Sequence, residues 1–222
     1  MKTSFYPTSG WVRVLGCLFL YLIFSSEISI AKQNTNFISL KLPRNIQIQI
    51  PKEWWLLGPN HERMIQTSVE AVLDISGLEI NENQKISLIK ANSMPRSTYA
   101  AVGISSSIPP SIMPSEFESI SAADRRDIKI IMKDNLEKLL SAQGLKLVQF
   151  IDARIEKFLG YPSIITEYRR SGTKGSVFVQ VIEVFTNSQE LSINLSYRES
   201  EIAIWKPVIG KIRSSIVIGR WP

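Results

Sequence analysis

The sequence is poor in two residue types on which many enzymes depend, with one cysteine and one histidine among 222 residues. A lone cysteine excludes an internal disulfide, and a zinc site needs three or four ligands that are usually cysteine or histidine. Classical serine triads also require a histidine. His61 lies beside Asn60 at the start of a predicted helix, a position that favours a surface residue over a catalytic one. We therefore expect no metal site.

Other catalytic motifs are missing from the sequence as well. No glycine-rich segment has the spacing of a phosphate-binding loop or a dinucleotide fingerprint, and no G-x-S-x-G elbow occurs. Glu199 and Glu201 are two residues apart and could act as an acid–base pair on one face of a strand. Their position at the end of an exposed strand favours a solubilising role instead. We expect a non-enzymatic protein that needs no cofactor.

The charge balance is moderately basic, with a formal net charge of +6. Such a balance can favour nucleic acid or phospholipid headgroups as partners. Here the charges are scattered and interleaved, as in Asp124–Asp127, and no run of five like charges occurs. This pattern indicates a solvated surface, so we expect no nucleic-acid partner.

The N-terminal residues have the organisation of a secretory signal. Lys2 and Arg13 supply the positive N-terminal region, the apolar run Val14–Phe24 follows it, and small residues occupy positions 29 and 31 (Ser29 and Ala31). A membrane-spanning helix needs roughly 20 apolar residues, so this shorter run favours cleavage, after Ala31, over a retained anchor. The predicted organisation is a signal peptide at residues 1–31 and a single domain at residues 32–222.

Cys17 lies inside this apolar run. In a lipoprotein signal the apolar segment precedes the modified cysteine, whereas here most of it follows, so Cys17 is interpreted as an ordinary apolar residue. Cleavage would leave a chain without cysteine, which fits the bacterial periplasm better than a disulfide-stapled extracellular module. We expect a periplasmic or secreted protein.

Two short runs after the signal, FISLKL and IQIQI, alternate apolar and polar residues strictly. This period of two residues predicts a β-hairpin with one solvent-exposed face. Pro51 ends the second strand because proline has no N–H to donate. Trp54 and Trp55 follow at once, and adjacent side chains of extended backbone point in different directions. We expect at least one ring to close the end of the core and the other to lie on the surface.

The rest of the chain combines helix and strand signals. Helices are predicted at Asn60–Ser76, from Ser115 or Ser121 to Gln143, and at Pro207–Ser214, and strands at Lys85–Ala91, at Thr98–Ser107 and in three or four runs after Gly144. The apolar stripe of the long helix comprises Ile128, Ile131, Met132, Leu136, Leu139 and Leu140. The predicted fold class is α+β, an antiparallel sheet flanked by helices in an α/β/α sandwich.

Two groups of residues are candidates for binding: the basic residues Arg169, Arg170 and Lys174, and the tryptophans Trp54, Trp55 and Trp205. The basic group surrounds a predicted hairpin turn and would suit an acidic partner or a lipid headgroup. An ordinary soluble hairpin end is the alternative. The tryptophans would line a cleft for a small apolar ligand, with a role in the core as the alternative.

The order of elements resembles that of PsbP-like domains of the Mog/PsbP/DcrB type. IQIQIPKEWWLL resembles their opening of strand, proline and tryptophan, and FLGYPSIITEYRR, VFVQVIEVFTNSQELSINLSYRE and KPVIGKIRSSI are similar to their closing half. The resemblance covers most of residues 37–217. Ile216 departs from the pattern, because in these domains an aromatic residue often follows the serine near the end of the final helix.

This resemblance implies an α/β/α sandwich that serves as a binding or assembly accessory without catalysis. With the predicted signal, the bacterial envelope branch is the most similar. The expected function is therefore that of an exported accessory protein for an envelope protein or membrane complex, with a peripheral membrane contact also possible. A periplasmic carrier of a small ligand or lipid is the alternative. No functional residue is transferred from the resemblance, because the branches use different surfaces.

Overall fold

The computed structural model describes residues 36–57, 85–95 and 97–219. These residues belong to one compact unit, Asn36–Pro222. The predicted signal peptide, the predicted helix at Asn60–Ser76 and His61 lie outside the described residues, so these interpretations stay predictions.

Strands and two helices account for most of the described chain. The strands are β1 (Phe37–Leu42), β2 (Ile46–Pro51), β3 (Trp55–Leu56), β4 (Lys85–Asn92), β5 (Ala100–Ser107), β6 (Leu147–Phe158), β7 (Tyr161–Arg170), β8 (Val177–Phe185), β9 (Glu190–Arg198) and β10 (Val217–Ile218). The helices are α1 (Ala122–Ala142) and α2 (Ile202–Ser214), with short 3₁₀ segments at Pro114–Ser119 and Glu199–Glu201. The predicted strands and the long helix are confirmed.

Two antiparallel sheets organise these strands. The larger sheet has seven strands in the order β3-β4-β5-β9-β8-β7-β6, and the smaller has three in the order β1-β2-β10. The predicted β1–β2 hairpin therefore forms, but it pairs with the end of the chain instead of joining the larger sheet. Its outward residues, such as Lys41 and Gln47, are exposed, whereas Ile46, Ile48 and Ile50 are buried. The predicted solvent-exposed face is therefore confirmed.

The main core lies between one face of the larger sheet and a layer made of the smaller sheet and α2. Ile193 of β9 is paired in register with Ile104 of β5 and Ile182 of β8, and all three are at most 1% exposed. Opposite them pack the isoleucines of β2 and the buried face of α2. Burial of this apolar area is the largest favourable contribution to folding.

The second face of the larger sheet is covered by α1 and the 3₁₀ segment before it. Leu136 and Leu140 of α1 pack with Tyr168 and Val179 of the sheet, and Phe117 packs against Phe185. Residues of β8 alternate between the two cores, which is the period-two geometry of a strand buried on both faces. Helices thus lie on both faces, and the predicted α+β sandwich is confirmed.

Helix α1 begins where the sequence predicts but buries a narrower face. Ser121 is the N-cap, and its hydroxyl accepts the N–H of Asp124, while the Asp124 carboxylate accepts the N–H of Ser121. The predicted apolar stripe is wrong at Ile131, which is 55% exposed. Successive residues of a helix are about 100° apart, so Ile131 lies away from the face that Met132 and Leu136 share.

Helix α2 begins five residues before the predicted start at Pro207, and Pro207 lies inside it. Proline is common in a first turn, which is why it was interpreted as a helix start. Inside a helix it removes one backbone hydrogen bond. The longer helix buries Trp205 as well as Ile209 and Ile212. This burial offsets the missing bond.

Replacing Ile193 by alanine tests the position of the main core. Because this side chain is fully buried between two strands, Ile193→Ala should lower the free energy of unfolding by about 2–5 kcal/mol. The control Ile131→Ala removes an isoleucine that is 55% exposed and should change stability by less than about 0.5 kcal/mol. Urea denaturation followed by circular dichroism measures both. Equal losses for the two variants would contradict the described packing.

Candidate functional site

The three candidate tryptophans have different environments. Trp54 follows β2 in a turn closed by its N–H and the Pro51 carbonyl, and it packs edge-on against Trp205 of α2, with ring centroids 5.9 Å apart. Both rings are buried, at 5% and 3% exposure, whereas Trp55 is 45% exposed on β3. The prediction that one of the adjacent rings closes the core and the other lies on the surface is confirmed. A ligand-binding role for the three tryptophans stays a prediction.

One carboxylate ties the tryptophan end of the domain together. Glu201 Oε2 accepts the indole N–H of Trp205 at 2.9 Å and the backbone N–H of Tyr99 at 2.8 Å. Its other oxygen pairs with Arg198, and the two side chains are only 15% and 11% exposed. Arg198 also donates to the carbonyl of Ser97 at 3.0 Å. Glu201 therefore joins the start of β5, the end of β9 and the first turn of α2.

Trp54 differs from Trp205 in the hydrogen bonding of its indole N–H. Its indole N–H is buried and has no hydrogen-bond partner in the described part of the chain. Buried N–H groups are nearly always paired, and leaving one unpaired costs about 1–3 kcal/mol. The pair of rings thus contains one satisfied and one unsatisfied donor.

The predicted basic cluster is divided by the sheet. Arg169 and Arg170 are adjacent on β7, so their side chains leave opposite faces. Arg169 lies on the α2 side, where it pairs with Glu199 and donates to Gln149 Oε1 at 2.5 Å. Arg170 lies on the α1 side, where it donates to the hydroxyl of Tyr99 at 3.1 Å. Only Lys174, in the turn after β7, is fully at the surface.

The two candidate acids are engaged in structure. Burial is the largest single influence on the pKa of Glu199 and raises it, but hydrogen bonding and the positive charge of Arg169 together outweigh burial, so the resulting pKa lies below the ordinary value. Glu201 is saturated by donors from three residues. The interpretation of both as exposed solubilising charges is therefore wrong. A carboxylate whose pKa is lowered, as that of Glu199 is, is a poor proton donor near neutral pH, so Glu199 does not fit the general-acid half of a pair.

A second ionic network, not anticipated from the sequence, lies across β6, β7 and β8. Arg154 donates to Glu167 at 3.1 Å and to Glu156 at 3.2 Å. Gln180 donates to the other oxygen of Glu167 at 2.5 Å. These residues come from three different strands, and only the strand register brings them together. Such pairing of surface side chains with one another is typical of a structural role.

Among the described residues, no group of three histidine, cysteine, aspartate or glutamate side chains has the geometry of a metal site. None of the described helices is long and apolar enough to cross a membrane.

Comparison with known proteins gives a likeness of fold. No protein-family model and no curated protein sequence matches the chain. Cyanobacterial PsbP (CyanoP) from Synechocystis is similar in structure, with a TM-score of 0.50 and 12% identity over 85% of this chain and 96% of that chain. LpqN, involved in cell envelope biogenesis of Mycobacterium tuberculosis, gives a TM-score of 0.44 and 11% identity over 84% and 92% of the two chains. The predicted PsbP-like fold is confirmed.

Replacing Glu201 by glutamine tests its structural role. The amide keeps the shape but replaces one acceptor oxygen by a donor and removes the charge that Arg198 faces. Unfolding free energy should fall by about 2 kcal/mol, and the near-ultraviolet circular dichroism of the indoles should weaken. The control Glu118→Gln makes the same change at an exposed glutamate of the first 3₁₀ segment and should be neutral within about 0.5 kcal/mol. Equal stability of the two variants would show that Glu201 is dispensable.

Proposed function

We propose that the chain is an exported, non-enzymatic accessory protein that binds, or helps to assemble, a protein complex of the bacterial envelope. The signal-like pattern of residues 1–31 supports export. The fold is compatible with a binding role but does not assign one. The proposal is carried by an exposed apolar pair on α1.

Ile130 and Ile131 are 60% and 55% exposed, although they are adjacent in the middle of a 21-residue helix. Single exposed apolar residues are common on protein surfaces. These two isoleucines point away from the core of the domain, and the exposed residues around them on α1 are mostly charged. Together they form an apolar centre within a polar rim. That arrangement is typical of protein–protein interfaces.

The charges around this pair favour a protein partner over a lipid surface. Asp127, Lys133 and Asp134 lie within one turn of it and are exposed. Helices that bind bilayers usually carry an excess of lysine and arginine on the polar face. Here both signs are present, and a protein surface of complementary charge can match them. Lys174 is a further exposed contact candidate, whereas Arg169 and Arg170 are already engaged within the domain.

Pull-down of tagged protein from cross-linked envelopes of the native host tests this proposal. The double variant Ile130→Asp/Ile131→Asp should capture at least about tenfold less of a stoichiometric envelope partner than the wild type, because an unpaired charge at the centre of an interface strongly weakens binding. The control Val148→Asp changes a residue on β6 that is 57% exposed, and it should retain the partner. Equal denaturation midpoints ensure that loss of capture is not loss of fold. Undiminished capture by the double variant would contradict the proposal.

A carrier of a small ligand or lipid is the second candidate function. The observation that favours it is the buried and unpaired indole N–H of Trp54, because a bound ligand with an acceptor atom would satisfy this donor. The contact of Trp54 with Trp205 would then form one wall of the ligand site.

Tryptophan fluorescence tests the carrier function. If the protein is a carrier, lipid or metabolite extracts should shift the emission of the wild type and of Trp55→Phe. Trp54→Phe, which keeps an aromatic ring but removes the N–H, should bind more weakly. Absence of a shift with every extract would contradict this candidate and leave the docking proposal unaffected.

A further inference from the structure

The turn between β1 and β2 presents an arginine to the far end of the larger sheet. Arg44 and Asn45 have φ angles of 61° and 56°. This left-handed region is rare for a long side chain such as arginine. The turn is held by the N–H of Gly219, which donates to the Asn45 carbonyl at 2.8 Å. Arg44 is thereby placed on the rim of the main core.

A buried relay of neutral groups fixes one end of the Arg44 guanidinium. Its Nη1 donates to Ser106 Oγ at 2.5 Å, and Ser106 Oγ in turn donates to Gln189 Oε1 at 3.0 Å. Ser106 and Gln189 are only 1% and 2% exposed. Because both are enclosed and hydrogen-bonded, the position of the guanidinium is defined by the fold.

The guanidinium has no counter-charge in the described part of the chain. Of its five N–H donors, the contact with Ser106 uses one. The nearest acid in the strand register is Glu190, because its neighbour Leu191 is paired with Ser106. Adjacent residues of a strand face opposite sides of the sheet, so the Glu190 side chain leaves the face opposite to that of Leu191 and Ser106. The Glu190 carboxylate accepts the hydroxyl and N–H of Ser111 instead. Burial lowers the pKa of Arg44, as expected for a cation that loses hydration without gaining an anion.

We propose that Arg44 is an anion-binding residue, and that its remaining N–H donors bind a phosphate group at the rim between the β1–β2 turn and the start of β9. A guanidinium presents paired donors that match two oxygens of a phosphate. The bound group would supply the negative charge that none of the described residues provides for this half-buried cation. The site is independent of the docking and carrier functions proposed above. The phosphate belongs either to a lipid headgroup or to a small free molecule.

NMR of the arginine side chains tests the site directly. Titration of the ¹⁵N-labelled protein with inorganic phosphate at constant ionic strength should shift the Nε–Hε signal of Arg44 to saturation. The signal is identified by its loss in Arg44→Gln. The signal of Arg126, an exposed arginine of α1, serves as the internal control and should not shift. Arg44→Lys keeps the charge but not the fork of donors, so it should lose saturable binding measured by backbone shifts at Ser106 and Gln189.

Sedimentation with phosphatidylglycerol vesicles separates the two sources of phosphate. Vesicle binding that is lost in Arg44→Gln but kept in Arg126→Gln identifies a lipid headgroup as the source of the phosphate. A saturable Arg44 shift without sedimentation identifies a free phosphate. Two results would overturn the proposal: an Arg44 signal that does not respond to phosphate, or a response that Arg126 shares or Arg44→Lys preserves. A purely structural arginine gives the first result, and nonspecific ionic screening gives the second.

Discussion

The apolar contact between the larger sheet and the layer of β2 and α2 is the interaction on which the other features depend. Ile46, Ile48 and Ile50 of β2 face the same core as Ile193 of β9. Since β2 lies outside the larger sheet, no backbone ladder joins it to that sheet. Side-chain burial therefore holds the β1–β2 hairpin against the larger sheet, while its backbone pairs with β10. Both ends of that hairpin carry a candidate site, Trp54 after the last strand residue and Arg44 in the turn.

Polar groups act at the margins of this contact. At the tryptophan end, Glu201 fixes the entry into α2 through three donors. At the opposite end, Arg44 reaches the buried Ser106 but meets no carboxylate in the described residues. At the tryptophan end Glu201 and Arg198 form an ion pair, but the indole N–H of Trp54 has no partner in the described part of the chain. At the Arg44 end the cation itself meets no anion among those residues, so the proposed ligands differ: a hydrogen-bond acceptor at Trp54 and a phosphate at Arg44.

Much of the fold was predictable from local patterns. Strict alternation identified β1 and β2, the capping box at Ser121 identified the start of α1, and Pro51 identified the end of β2. Errors arose where a local signal had two meanings. Pro207 was interpreted as a first-turn residue but lies inside α2, and Ile131 was assigned to the core although it is exposed. A stripe of apolar residues shows that a helix has a buried side but does not define its width.

The candidate sites were less predictable than the fold. Sequence adjacency suggested one basic cluster at Arg169 and Arg170, but the pleat of β7 sends the two side chains to opposite faces. Partners such as Glu199 for Arg169, or Ser106 for Arg44, are far away along the chain. Nothing in the local sequence of Arg44 indicates that its guanidinium will lie beside neutral groups.

The sequence by itself determined the α+β class, most strand positions, the cap of the long helix and the scarcity of histidine and cysteine, because these depend on residue type and short-range periodicity. The tertiary structure decided which strands share a sheet, which charges are paired and which apolar residues remain at the surface. Those outcomes depend on contacts between residues far apart in the chain. Such contacts are set by register and by competition for the core, and neither is encoded in any single segment.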